Sequence, residues 1–355
     1  MSGIFYSRAR FLNFGDDLNI WLWPRVVPQF FERAEDYLLI GTGTIISDKV
    51  PAASRRYVMG SGAGYGAVPR DLAGGSWRFM FVRGPLTAKV LELPAEAAVT
   101  DGAMLLPQYL PPSDLSGPRT GVVFIPHWKS ALQGEWAEVC QMAGVSYVSP
   151  MQPLEKVMSA IVNASLVLTE SMHGAILADA YRVPWIPLRT TPEVNDFKWT
   201  DWCASVGLTY RPEYIPPSGL WDQRRAAAHR IESHETFSSS VRNGSEIAED
   251  DLQKELVATF NGRYGLGAAQ ATPSRSGGLV AKLASDAKER LARKLVDLTK
   301  IKGAQYEKDR RLKEAAAIAM IVASRKVPFL SSEFVLNDRV GQMRERAQRL
   351  LGELI

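Results

Sequence analysis

Cysteine and histidine are scarce in this chain, whose 355 residues include two cysteines and four histidines. Cys140 and Cys203, both in apolar surroundings, cannot build a disulfide framework and suit a reducing cytoplasm with buried thiols. No second histidine or cysteine stands at ligand spacing from His173, so no metal centre is expected there. Long apolar runs are missing as well. The longest, Ala315 to Ala323, is nine residues, whereas spanning a bilayer takes about 20. The opening Met1-Ser-Gly-Ile-Phe-Tyr-Ser-Arg8 has no apolar core followed by a cleavage site, and a cytoplasmic location is expected. The excess of positive charge is confined to one end: of the net +4, residues 281–355 contribute +7 and the remainder −3. An electrostatic footprint for nucleic acid should lie on the folded body, so nucleic acid is not an expected partner.

What is present is an ordinary soluble composition, 46% hydrophobic and 23% charged, with length enough for two domains. Short apolar runs alternate with helical segments. Gly3–Tyr6, Tyr37–Ile40, Arg56–Met59 and Trp77–Val82 read as strands of a first half, with a helix after Asn19 that ends at Pro24. Gly121–Ile125, Val145–Val148, Leu166–Leu168 and Trp185–Ile186 read as strands of a second. The expected fold is α/β, with two Rossmann-like domains facing a cleft, residues 1–117 and 118–261. A flexible linker, 262–278, then leads to a basic helical tail, 279–355. In that tail Leu279, Leu283, Leu291, Leu295, Leu298 and Ile301 recur at helical spacing beside many Lys and Arg. The pattern fits either a helix on a partner or an anionic membrane surface, or one packed on its own domain.

The chain is organised around Ala164 to Leu188. Leu166-Val-Leu168 is a buried-strand run, Thr169-Glu-Ser171 interrupts it with polar residues, and Met172 to Tyr181 favours helix until Val183-Pro184. His173 therefore stands at a helix N-terminus beside the carboxyl end of a strand, where open α/β sheets bind ligands and free N–H groups suit phosphate or carboxylate. There it is either a capping or core histidine or a general acid/base.

Other strand ends carry polar groups with similar alternatives. Asn13-Phe-Gly-Asp-Asp-Leu-Asn19 either caps its helix or sends a carboxylate, Asp16 or Asp17, toward a sugar hydroxyl. Arg83 precedes the helix-starting Pro85 and either grips an anion or pairs with a nearby acid. His127 and Lys129 form a second strand-end pair. Arg189 and the segment Asn195 to Trp202, with Lys198 as cation and Trp199 as stacking surface, read as a phosphate- or carbohydrate-facing loop, or as tryptophans filling the core. The turns at Gly41–Thr44 and Gly60–Gly66 are close backbone packing or a bed for a phosphate or sugar, and neither carries the lysine of a P-loop.

Six motifs occur in an order that resembles the polysaccharide pyruvyl transferase family: Asn13 to Asn19, Ile40-Gly-Thr-Gly-Thr44, Arg83-Gly-Pro-Leu-Thr87, Thr100-Asp101, Glu170-Ser-Met-His-Gly-Ala-Ile176 and Val183-Pro184. The resemblance spans roughly residues 3–210 and leaves the tail uncovered. It implies a glycosyltransferase B-like fold, phosphoenolpyruvate as donor, and a saccharide acceptor linked to polyprenyl diphosphate. The product is a pyruvate ketal on a terminal hexose, formed with no redox cofactor or metal. His173 becomes the acid/base, with Asp16 and Asp17 beside it. Arg83, His127, Lys129, Glu170, Ser171, Gly174, Arg189 and Lys198 become the donor side, and Asn13, Asn19, Asn195 and Trp199 the acceptor side. Many relatives carry arginine where this chain has Ser171, so another cation must hold the donor. The rivals are a nucleotide-sugar glycosyltransferase of the same architecture and a non-catalytic scaffold for polysaccharide assembly at the inner face of the membrane.

Overall fold

The computed structural model describes residues 3–7, 12–33, 35–115, 117–191, 194–224, 249–265 and 304–354. Within them the apolar runs become two parallel sheets, as expected for strands buried on both faces and joined by crossovers. One sheet holds β1 (Gly3–Phe5), β2 (Tyr37–Ile40), β3 (Arg55–Met59) and β4 (Trp77–Phe81) in chain order. The other holds β5 (Val122–Ile125), β6 (Ser146–Tyr147), β7 (Leu166–Thr169), β8 (Trp185–Arg189) and β9 (Glu213–Tyr214), in the order β6-β5-β7-β8-β9. That order reverses direction between β5 and β7. Such a reversal opens a crevice at the carboxyl ends of the two strands.

The helices of these halves are α1 (Phe14–Val26), α2 (Pro28–Phe31), α3 (Pro85–Val90), α4 (Trp128–Gln133), α5 (Trp136–Ala143), α6 (Leu154–Val162), α7 (Met172–Ala180) and α8 (Asp196–Ser205). Helix α1 does not stop at Pro24 as the sequence suggests. The proline gives up one backbone hydrogen bond in the last turn, while buried Leu22, Trp23 and Val26 pack with Leu39 and Tyr57 of the first sheet, which offsets the loss. Helix α8 joins both halves. Its Phe197 belongs to the cluster beneath the first sheet with Ile40, Val58 and Leu86, whereas Trp199 and Trp202 pack with Trp185 of the second.

Three further helices cover this body. Helix α9 (Glu249–Tyr264) lies on α3 and α8. Its Phe260 stacks on Phe197 of α8 with ring centroids 5.0 Å apart and shares a cluster with Leu86 and Val90 of α3, so residues 249–261, assigned by sequence to the second half, touch both halves. Residues 262–264, the start of the expected linker, are still helix. Helix α10 (Ala304–Ala323) buries Ala316, Ala317, Met320 and Ala323 against Trp136 and Cys140. Phe329 then pairs antiparallel with Trp185, and α11 (Glu333–Glu353) buries Leu336, Met343, Ala347 and Leu350. The described part of the tail, residues 304–354, is thus packed on the body. The stripe Leu279 to Ile301 and residues 266–278 lie outside the described residues. Among the described residues, no helix is long and apolar enough to cross a membrane.

Candidate active site

The strand-to-helix turn at His173 is held by its own polar residues. Thr169 Oγ1 donates to the Ile125 carbonyl of β5 (3.0 Å) and accepts from the Ser171 N–H (3.0 Å), which fastens the end of β7 to the end of β5. Gly174 is required beneath it, since a Cβ there would come within 2.5 Å of Thr169 Oγ1. The buried Glu170 carboxylate joins three strand ends. It accepts the His127 N–H after β5 (3.1 Å) and both the N–H (3.1 Å) and hydroxyl (2.6 Å) of Thr190 after β8. Glu170 and Gly174 therefore organise the crevice where the strand order reverses, and His173 is carried by its first helical turn.

His173 faces the first half. A Cβ on Gly15 of α1 would overlap His173 Nδ1, so the glycine allows the two helices to meet edge to edge. The imidazole keeps some exposure, but its Nε2 is enclosed and has no hydrogen-bond partner. Burial, reinforced by the positive fields of Lys198 and Arg83, lowers its pKa to about 3 and keeps it neutral. Next to Gly15, burial raises Asp16 to about 7 against the hydrogen bond from Asn13 Nδ2 (2.7 Å), with Asp17 adding to the rise and Lys198 opposing it. A neutral base and a carboxyl that titrates near neutrality thus share the field of one lysine. The Lys198 ammonium has no ion pair or hydrogen bond among the described residues, and it lies 5.8 Å from the Tyr65 ring centroid.

The other cations named from sequence are differently engaged. Arg83 is fully enclosed. Its Nε donates to Asp201 (3.0 Å), and its NH1 and NH2 donate to Thr44 Oγ1 (2.5 Å) and the Ala63 carbonyl (3.0 Å). Asp201 also accepts from the Thr87 N–H and hydroxyl, so one carboxylate of α8 is bound at three points to the first half. Arg189 pairs with Asp196 at 2.7 Å. Lys129 and His127 sit at the start of α4, on the crevice side of β5, where the imidazole accepts the Lys129 N–H (3.4 Å).

Among the expected acceptor residues, Asn13 supports Asp16 and Asp17, donating its side-chain amide to the former and its backbone N–H to the latter (3.0 Å). Asn19 is buried and spends its amide on the Thr42 N–H, the Thr42 carbonyl and Trp23 Nε1. Asn195 caps α8 and donates to the Gly64 carbonyl (2.9 Å), a second tie between halves. Trp199 is buried and stacked on Tyr210 at 5.1 Å, in the interior. Sequence reasoning gave no site role to Asp201, or to Asp101, which it singled out only as a family motif. Both are carboxylates in buried surroundings, and a charged residue among tryptophans, as in Thr200-Asp-Trp202, was the available signal. Asp101 Oδ1 accepts the Ala103 N–H, Oδ2 is unpartnered, and burial raises its pKa to about 6.

An imidazole with an enclosed, unpartnered nitrogen and a carboxyl near neutrality thus share the field of an ammonium that is unpaired among the described residues. Residues 5–192 match the polysaccharide pyruvyl transferase family, and the chain belongs to that family. Over 217 residues it is 41% identical to the succinoglycan biosynthesis protein ExoV of Rhizobium meliloti (strain 1021), a match that covers 60% of this chain and 68% of that protein.

Proposed function

We propose that the protein moves pyruvate from phosphoenolpyruvate onto a terminal hexose of an exopolysaccharide, or of its polyprenyl-diphosphate-linked repeat unit, and closes a ketal with release of phosphate. The observation that carries this reading is the enclosed, unpartnered Nε2 of His173 beside the unpaired ammonium of Lys198. Membership of the family and the likeness to a succinoglycan biosynthesis protein support an exopolysaccharide acceptor.

Burial and positive charge hold His173 neutral. The negative charges of phosphoenolpyruvate oppose that field, and His173 then takes a proton that it delivers to the methylene carbon. A sugar hydroxyl attacks the central carbon and passes its proton to the Asp16 carboxylate. The C–O bond to phosphate breaks, and the second hydroxyl closes the ring. Of the two hydroxyl protons, one ends on the new methyl group and the other on phosphate. Lys198 supplies the cation that Ser171 does not, with Lys129 and His127 on the β5 side. Neither metal nor redox cofactor takes part. The two halves act as a glycosyltransferase B-like pair, and the protein works at the inner face of the membrane, where a lipid-linked acceptor is presented.

The test supplies phosphoenolpyruvate and a panel of lipid-linked and free saccharides, and follows phosphate release with the mass gain of a ketal. Phosphate release that depends on acceptor supports the reading. Transfer of a sugar with nucleotide release, and none of pyruvate, would sink it.

A further inference from the structure

The reaction needs a surface for the hexose as well as a pocket for the donor, and Trp199, the aromatic residue named for that task, is inside the core. Tyr65 is placed differently. It lies in the loop after β3 with 44% of its surface exposed. Gly64 and Gly66 on either side hold φ values of +150° and +86°, conformations that L side chains rarely adopt. The loop is nevertheless fixed. Asn195 Nδ2 donates to the Gly64 carbonyl at 2.9 Å, and a Cβ at Gly64 would stand 2.7 Å from Thr44 Cγ2. A pinned backbone that leaves an aromatic ring in solvent loses the burial the ring would otherwise gain. The ring also borders the charged centre, because the Lys198 ammonium 5.8 Å from its centroid is the one whose field acts on both Asp16 and His173.

We infer that Tyr65 is the stacking platform for the acceptor hexose, with Lys198 between the sugar and the donor's negative charge. The inference rests on the pyruvyl-transfer reading for the identity of the acceptor. An amphipathic ring suits the C–H face of a pyranose while its hydroxyls turn toward Asp16 and Lys198, and rigidity of the loop lowers the entropy lost on binding.

The full chain is compared with Tyr65→Ala, Tyr65→Phe and Tyr65→Trp. Acceptor binding is read by saturation-transfer NMR with methyl glucopyranoside, galactopyranoside and mannopyranoside, and KM and kcat are measured for acceptor and phosphoenolpyruvate separately. Tyr65→Ala should raise the acceptor KM by about 3- to 10-fold, the range expected for losing one aromatic stacking partner. It should leave the phosphoenolpyruvate KM within about twofold and the melting temperature unchanged, while Phe and Trp retain acceptor binding. An unchanged acceptor KM, an equal rise in both KM values, or no saturation transfer to any of the three hexosides from the unmodified protein would overturn the inference. If hexoside binding falls in Tyr65→Ala but phosphoenolpyruvate is never consumed, the platform stands and the pyruvyl-transfer reading fails.

Discussion

At the scale of single residues, His173 and Asp16 have opposite linkages to folding. His173 is lowered from 6.5 to about 3, so its contribution to stability is complete above pH 6.5 and is lost as pH falls toward 3. Asp16 is raised from 3.8 to about 7, so its contribution is complete below 3.8 and is lost as pH rises through 7. Asp16→Asn should therefore become more stable relative to the unmodified protein as pH goes from about 4 to about 8, seen as a growing difference in melting temperature. The same substitution should lower kcat by about 100-fold or more, as for other removed proton acceptors, and flatten the limb of the pH profile near 7. His173→Gln should abolish ketal formation and keep the native fold by circular dichroism. Retained turnover in that variant would remove His173 from the chemistry.

At the scale of elements, α1, α7 and α8 converge on the site because small or polar residues let them. Gly15→Ala would drive a methyl group into His173 Nδ1, displacing the imidazole, and should cost at least about tenfold in kcat with about 1–3 kcal/mol of stability. Asp201→Ala leaves the Arg83 guanidinium buried without its counter-ion. Both side chains are fully enclosed, and the expected loss is about 3–5 kcal/mol, measured by denaturant unfolding. The helix at Met172 and its strand were legible because a continuous apolar run, three polar residues and a small-residue helix differ sharply in pattern. The partnership of Arg83 with Asp201 was not legible, because the residues lie 118 positions apart and neither pattern names the other. An exposed loop tyrosine such as Tyr65 has no sequence signature at all, since its exposure is decided by what fails to pack on it.

At the scale of the whole molecule, the last helices are part of the body. Lys313 of α10 pairs with Glu135, Glu138 and Asp309, Arg182 NH2 donates to the Ser331 carbonyl at 2.6 Å, and Arg346 of α11 donates to the Met80 and Glu96 carbonyls of the first half. The buried Asp179 carboxylate accepts from both Trp185 Nε1 and the Ser331 N–H, each at 2.9 Å. Removal of residues 304–354 should expose Trp136, Trp185 and their neighbours and take from Asp179 its bonds to Ser331, leaving it Trp185 Nε1 and Arg182. The shortened chain is expected to aggregate or to lose cooperative unfolding, as followed by light scattering and calorimetry. A soluble, fully active truncation would show instead that these helices are dispensable.

By itself the sequence determined the class of fold and the position of its main histidine, because hydrophobic periodicity and turn chemistry act over a few neighbouring residues. It also carried the motifs of the family in order. Which polar groups are free and which are already paired was settled only by tertiary structure. Arg83 and Arg189 are matched by Asp201 and Asp196, Lys198 is left unpaired among the described residues, and Trp199 is covered while Tyr65 is not. Those outcomes depend on the desolvation and pairing of groups brought together from distant parts of the chain, and local pattern carries no record of them.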